Sequence, residues 1–198
     1  SDLDDDFADR GVLISLAATA YHAIAGDGAT IPELIIGHGI VGRLIARIAL
    51  ALGAEAPLVW EKNATRRDGA HGYRVVDPAE DPRRDYHAIC DASGDAALLD
   101  TLIGRLAKRG EITLAGFYET PLSFTFPPAF MREARLRIAA EWARSDIDAV
   151  MDLILSGTLS LEGLVTNHST PHHAQEAYRT AFTDPTCLKM ILDWREAA

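Results

Sequence analysis

The sequence has little cysteine, no surplus of positive charge and no long apolar run, and each shortage removes a class of explanation. Cys90 and Cys187 are its only cysteines, too few for a disulfide framework. Neither a C-x-x-C nor an H-E-x-x-H spacing occurs, so no ready-made zinc site is present. Lysine and arginine number 19 against 29 aspartates and glutamates, a formal charge of −10. A nucleic-acid surface needs the opposite balance, so no nucleic-acid partner is expected. No stretch approaches the roughly 18 apolar residues of a membrane span and no signal peptide is visible. The expectation is a cytoplasmic protein without a transmembrane segment. Internal repeats and low-complexity linkers are missing too. What is there, 198 residues with 48% apolar, suffices for one domain with a sizeable core.

The informative stretch is Pro32 to Gly42. Ile35 and Ile36 end a short apolar run suited to a buried parallel strand, and Gly37, Gly39 and Gly42 form G-x-G-x-x-G before an apolar-periodic helix. In a dinucleotide site the first glycine permits a tight turn, the second lets the backbone approach a pyrophosphate, and the third lets the helix pack close to the sheet. The helix N-terminus adds unpaired N–H groups and a positive dipole end. Alone the motif is weak. Glu61 strengthens it, closing a second apolar run nineteen residues after Gly42. An acid there can accept hydrogen bonds from the ribose hydroxyls of NAD and repels the 2′-phosphate of NADP. A solvated strand end is the plainer reading of Glu61.

Periodicity organises the rest. Val12 to Ala25 reads as a buried helix after an acidic leader, Ser1 to Asp9. In the glycine-turn helix Val41, Leu44, Ile45, Ile48 and Leu52 share one face, while Arg43 and Arg47 are expected on a solvated one. Strands are expected at Leu58–Glu61, Tyr73–Val76, Tyr86–Cys90 and Glu111–Ala115, with a short polar helix at 64–70. An amphipathic helix carrying Leu98, Leu99, Leu102, Ile103 and Leu106 should stop at Gly110. Further on, alternation at Leu122, Phe124 and Phe126 suggests a half-buried strand. A sixth core strand is expected within 134–142, and Ser145 and Asp148 should cap the next helix. Last come a helix from near Pro171 and a strand over 188–192. The fold class is therefore α/β, a Rossmann-type doubly wound parallel sheet of about six strands with helices on both faces.

Thr19–Ala23, the glycine turn, Asp91–Gly94, Arg109–Phe117, Leu164–Thr166 and Ala177-Tyr178 together resemble the coenzyme-binding half of the medium-chain dehydrogenase/reductase superfamily. Trp60-Glu61, Phe124–Met131 and Lys189–Trp194 narrow the resemblance to a branch that oxidises the 1-hydroxyethyl side chain of a chlorophyll-type pigment precursor to acetyl, passing hydride to NAD. The resemblance implies that Gly37, His38, Gly39, Ile40, Val41 and Gly42 line the pyrophosphate and that Glu61 and Arg66 sit near the adenosine ribose. It places Ser93, Ala115 and Phe117 along the path to the nicotinamide, and Thr19 close to that ring. It also implies that 1–198 is an NAD-binding Rossmann domain lacking the β-rich, N-terminal substrate-binding half, so that the chain alone binds NAD weakly and does not turn over. The zinc-ligand cysteine of the zinc-dependent branch is replaced at the corresponding place by Ser15, so no metal is expected. Catalytic residues are not assigned.

Two rival readings share the fold: a non-catalytic NAD-sensing module, and an S-adenosylmethionine-dependent methyltransferase, which Gly42 and the strands after Gly116 disfavour. His22 suits a core or helix-surface position better than a proton relay. The His38 side chain should point away from the turn. His172 and His173 would face apart on a helix and hold no metal with His168. A homodimer is expected, through an apolar patch at Leu164-Val165 and 188–192 or through edge pairing at 123–126.

Overall fold

A computed structural model describes residues 11–197, so the acidic leader lies outside the described residues. Six strands form one parallel sheet: β1 (Leu34–Ile36), β2 (Leu58–Trp60), β3 (Arg74–Val76), β4 (Tyr86–Asp91), β5 (Leu106–Leu114) and β6 (Arg135–Ile138). Their spatial order is β3-β2-β1-β4-β5-β6, and every pairing is parallel. The chain runs outward from β1 to β3, then crosses back to β4 beside β1. The two halves part at that switch point.

β1 is buried throughout because its two faces feed two cores. Ile35 packs with Val59 and Cys90 beneath α1 (Ile14–Ala25), α2 (Ile40–Ala51) and Val150 of α5 (Arg144–Leu155). Leu34 and Ile36 pack on the opposite face with Trp60, Ile89, Ile112 and the leucines of α3 (Leu99–Arg105), under Ala129 of α4 (Phe126–Arg132). The period of two makes this division, and each such side chain stabilises the fold by roughly 1.5–3 kcal/mol when fully buried. Helices on both faces of a parallel sheet match the expected class. A two-stranded parallel sheet, β7 (Asn167–Ser169) with β8 (Met190–Leu192), packs with α6 (Ala174–Thr183) outside it.

Several local expectations fail for non-local reasons. α3 ends at Arg105, and Leu106 to Gly110 already belong to β5, where Leu106 pairs with Tyr86 across a register shift. No strand forms at 123–126. Thr125 is instead held by Asp100, which accepts from its N–H at 2.6 Å and from its hydroxyl at 3.0 Å, and α4 begins at Phe126. The cap of α5 is displaced: the Asp146 carboxylate accepts the Ala143 N–H at 2.6 Å and also meets His22 Nδ1 at 2.8 Å, tying α5 to α1. The polar helix after β2 is a single turn, Ala64–Arg66. Leu164, expected in an apolar surface patch, is fully buried, while Leu155 at the end of α5 is 70% exposed.

Candidate dinucleotide site

The register aligns Ile36 with Trp60 and Asp91, so the next residues, Gly37, Glu61 and Ala92, emerge together at the carboxyl edge of the sheet. A cavity of about 310 Å³ opens there. Gly37 and Gly39 form part of its wall, Glu61 and Arg66 another, and Ser93 a third. Pro78, Leu98 and Thr101 add an apolar side suited to a flat aromatic base, and Lys62 and Asp95, paired at 3.3 Å, also line it. That pair is largely exposed and contributes little to stability, so an incoming hydroxyl can displace it.

The glycine turn has its required shape. Gly37 has φ +93°. A Cβ on Gly42 would lie 1.9 Å from the Gly37 carbonyl oxygen, so only glycine lets α2 start this close to β1. A Cβ on Gly39 would meet nothing within 4 Å. It would project into free space at the cavity wall, the space a closely approaching ligand needs. The first turn of α2, from Ile40, supplies N–H groups with no partner inside the helix. Both oxygens of Glu61 are held in place: Oε2 accepts the His38 N–H at 2.9 Å and Oε1 the Asn63 N–H at 2.8 Å. A carboxylate has about four acceptor positions, so capacity for ribose hydroxyls is left.

Other expected residues are arranged differently. Ile40, Val41 and Gly42 belong to the first turn of α2 behind the wall. The Thr19 hydroxyl is turned back onto its own helix, donating to Ser15 O at 3.0 Å, and Thr19 does not line the cavity. Ala115 packs against the core, and Phe117 is 89% exposed beside a separate hollow with Leu122 and Ile138. The turns bearing Ser93 and Phe117 are nevertheless coupled. Asp91, 2% exposed, accepts from Ser93 N–H and hydroxyl at 2.9 and 2.6 Å and from the Tyr118 hydroxyl at 2.9 Å. Burial and the adjacent carboxylate push the Tyr118 hydroxyl well above the usual phenol range, keeping it protonated as the donor. Asp91 was legible as the end of a strand, but its two partners on separate turns were not.

The largest departure is on α2. Arg43 and Arg47, expected in solvent, are each 7% exposed. Arg43 donates Nε to His38 O at 3.0 Å, Nη1 to Gly69 O at 3.2 Å, and Nη2 to Arg66 O and Asp68 O at 3.0 and 2.8 Å. Arg47 donates to Ser160 O and Glu162 O at 3.0 and 2.8 Å. His38 does point away from the cavity, and it is fully buried. Its Nδ1 lies 2.6 Å from Arg66 O and its Nε2 2.8 Å from the Tyr73 hydroxyl. Because Arg66 O can only accept, Nδ1 carries the proton and Nε2 accepts from Tyr73. Burial, with Arg43 and Arg47 nearby, lowers the His38 pKa to about 4.

Among the described residues no cluster of three or more His, Cys, Asp or Glu could hold a metal ion, and no helix is long and apolar enough to cross a membrane.

Sheet order, glycine turn, carboxyl-edge cavity and strand-end acid together make this a Rossmann-type dinucleotide-binding fold. No family model matches the chain. It is 58% identical over 195 residues to the 2-desacetyl-2-hydroxyethyl bacteriochlorophyllide A dehydrogenase of Rhodobacter capsulatus, covering 98% of this chain and 62% of that protein. It is 60% identical over 189 residues to the enzyme of that name from Cereibacter sphaeroides, covering 96% and 59%. The chain thus spans about three fifths of the length of these curated relatives. Among solved structures, a short chain alcohol dehydrogenase from E. coli CFT073, complexed with cofactor NADH, superposes with a TM-score of 0.81 at 18% identity, covering 92% of this chain and 58% of that one. These likenesses bear out the resemblance to medium-chain dehydrogenases.

Proposed function

We propose that this chain is the coenzyme-binding part of an oxidoreductase that oxidises the hydroxyethyl side chain of a bacteriochlorophyllide to acetyl with NAD as hydride acceptor. The carbinol carbon gives up a hydride, its hydroxyl gives up a proton, and a ketone remains. The identity of 58–60% to two dehydrogenases of that substrate supports the activity. The observation that carries the cofactor choice is Glu61 in the cavity wall with both oxygens fixed by backbone N–H groups.

The residues present fit a dinucleotide. Gly37, Gly39 and the first N–H groups of α2 would hold the pyrophosphate, Glu61 the adenosine ribose, and Pro78, Leu98 and Thr101 the adenine. When bound, the cofactor supplies the hydride acceptor. The protein's part is position and charge. A 2′-phosphate beside the Glu61 carboxylate meets like charge, which favours NAD over NADP.

Calorimetric titration of the chain with NAD and NADP, repeated with Glu61→Ala, tests this reading. The expected result is a preference for NAD that the substitution removes, with NAD affinity down about tenfold. Equal affinity for the two cofactors, or a preference that survives Glu61→Ala, refutes it.

The self-assembly that fits best is a homodimer through the outer edge of the sheet. β6 ends the sheet, and Phe130, Met131 and Ile138 on α4 and β6 are 65%, 71% and 77% exposed. An unpaired edge flanked by apolar side chains favours a second copy.

A further inference from the structure

The network behind the glycine turn touches the cavity only through what it holds. The segment 61–69 leaves β2, makes one turn and returns without strand pairing. Its carbonyls at Arg66, Asp68 and Gly69 converge on the single guanidinium of Arg43, and Arg66 O also receives His38 Nδ1–H. His38 is in turn fixed by the Tyr73 hydroxyl at 2.8 Å, its N–H holds Glu61, and its carbonyl holds Arg43. The Tyr73 hydroxyl lies near the charges of Arg43 and Arg47. Gly69 completes the fit, since a Cβ there would lie 2.6 Å from Arg43 Nη1. Only a planar, multi-donor cation can satisfy carbonyls spread along a loop in this way; a lysine has one compact charge.

Three charges on this segment line the cavity: Lys62, paired with Asp95 at 3.3 Å, and the opposite charges Glu61 and Arg66. Arg66 is drawn toward the tail, where its Nε donates to Pro185 O at 2.6 Å. The orientation of Glu61 and Arg66 therefore depends on where the 61–69 segment is pinned.

We infer that His38 and Arg43 are specificity-positioning residues: they pin the 61–69 segment to the glycine turn so that Glu61 meets the adenosine ribose while Arg66 stays on the tail at Pro185. This rests on the dinucleotide reading above. Loosening the pin frees Arg66 to pair with a 2′-phosphate and lets Glu61 withdraw, so the two cofactors respond in opposite senses.

The test is calorimetric titration of the full 198-residue chain with NAD and with NADP, for the wild type and for His38→Phe, Arg43→Lys, Tyr73→Phe and Glu61→Ala. Cooperative unfolding of each variant is checked separately. In His38→Phe and Arg43→Lys the ratio of the NADP to the NAD dissociation constant should fall about tenfold, and in Tyr73→Phe about threefold. Adding Arg66→Ala to His38→Phe should cancel the gain in NADP affinity and leave the loss in NAD affinity, so that the ratio rises part of the way back. A network that merely supports the fold would weaken both cofactors by one factor, and an unchanged ratio overturns the inference. Should the larger substitutions unfold the chain, Tyr73→Phe, which removes one oxygen, decides in the same way. A wild-type preference for NAD that disappears in Glu61→Ala while the pinning variants keep it would leave the parent reading standing and defeat only this one. Binding of neither cofactor by the folded wild type would defeat both.

Discussion

The buried histidine behind the glycine turn makes acid stability a sharp test of the packing. His38 is fully buried, its pKa falls to about 4, and burial is the main cause, with Arg43 and Arg47 opposing its charge and Glu61 and the Arg66 carbonyl favouring it. In the unfolded chain the imidazole titrates near 6.5. Between these values the unfolded state binds a proton that the folded state refuses, so stability is full above about pH 6.5 and declines as pH falls toward 4. The shift of 6.5 to about 4 corresponds to about 3 kcal/mol at its lower end. The assay is urea denaturation of the wild type and His38→Phe at intervals from pH 7 to pH 4. The variant loses hydrogen bonds and starts less stable, but that offset does not depend on pH. The wild-type stability minus the variant stability should therefore shrink by about 3 kcal/mol across the window. Parallel curves would refute the reasoning, because His38 would then titrate alike in both states.

Two glycines of the same motif should fail in different ways. Gly42→Ala sets a Cβ 1.9 Å from the Gly37 carbonyl, backbone against backbone, and should cost about 3 kcal/mol in denaturant unfolding. Gly39→Ala meets nothing within 4 Å. It should leave stability within about 0.5 kcal/mol while weakening NAD binding at least tenfold by calorimetry. For assembly, sedimentation should show a concentration-dependent dimer that Ile138→Lys, at the 77% exposed edge position, converts to monomer. A wild type that stays monomeric at high concentration removes the proposed interface.

What could be read from the chain was what depends on neighbours in sequence. The G-x-G-x-x-G turn, the period-two burial of β1 and the helical spacing of α2 are local, and a doubly wound parallel sheet followed from alternation and crossover handedness. Glu61 and Ser93 came together because the parallel register brings strand ends to one edge. Thr19 and Phe117 were assigned through resemblance, and in this chain neither side chain lines the cavity. Nothing local could have warned that Thr125 would be held by Asp100 and so leave the strand that its flanking phenylalanines suggested.

Arg43 and Arg47 show where helical-face reasoning stops. Four residues apart, they lie on the side of α2 that an isolated helix would offer to water. In the fold that side is covered by two irregular segments, 66–69 and 160–162, whose carbonyls have no ladder to join. A buried carbonyl needs a donor, and a guanidinium supplies up to five from one side chain. The arginines are thus buried because the loops are irregular, and the loops can be irregular because the arginines are there. Neither half of that dependence is visible in a periodic pattern. The sequence trace is a pair of cations on a helix following a nucleotide-type turn, with a loop rich in polar residues and glycine some twenty residues on. The loop so secured carries Glu61 and Arg66, so the packing of the helix and the choice of cofactor become one problem: a substitution in the buried network should change which dinucleotide the cavity accepts before it changes whether the chain folds.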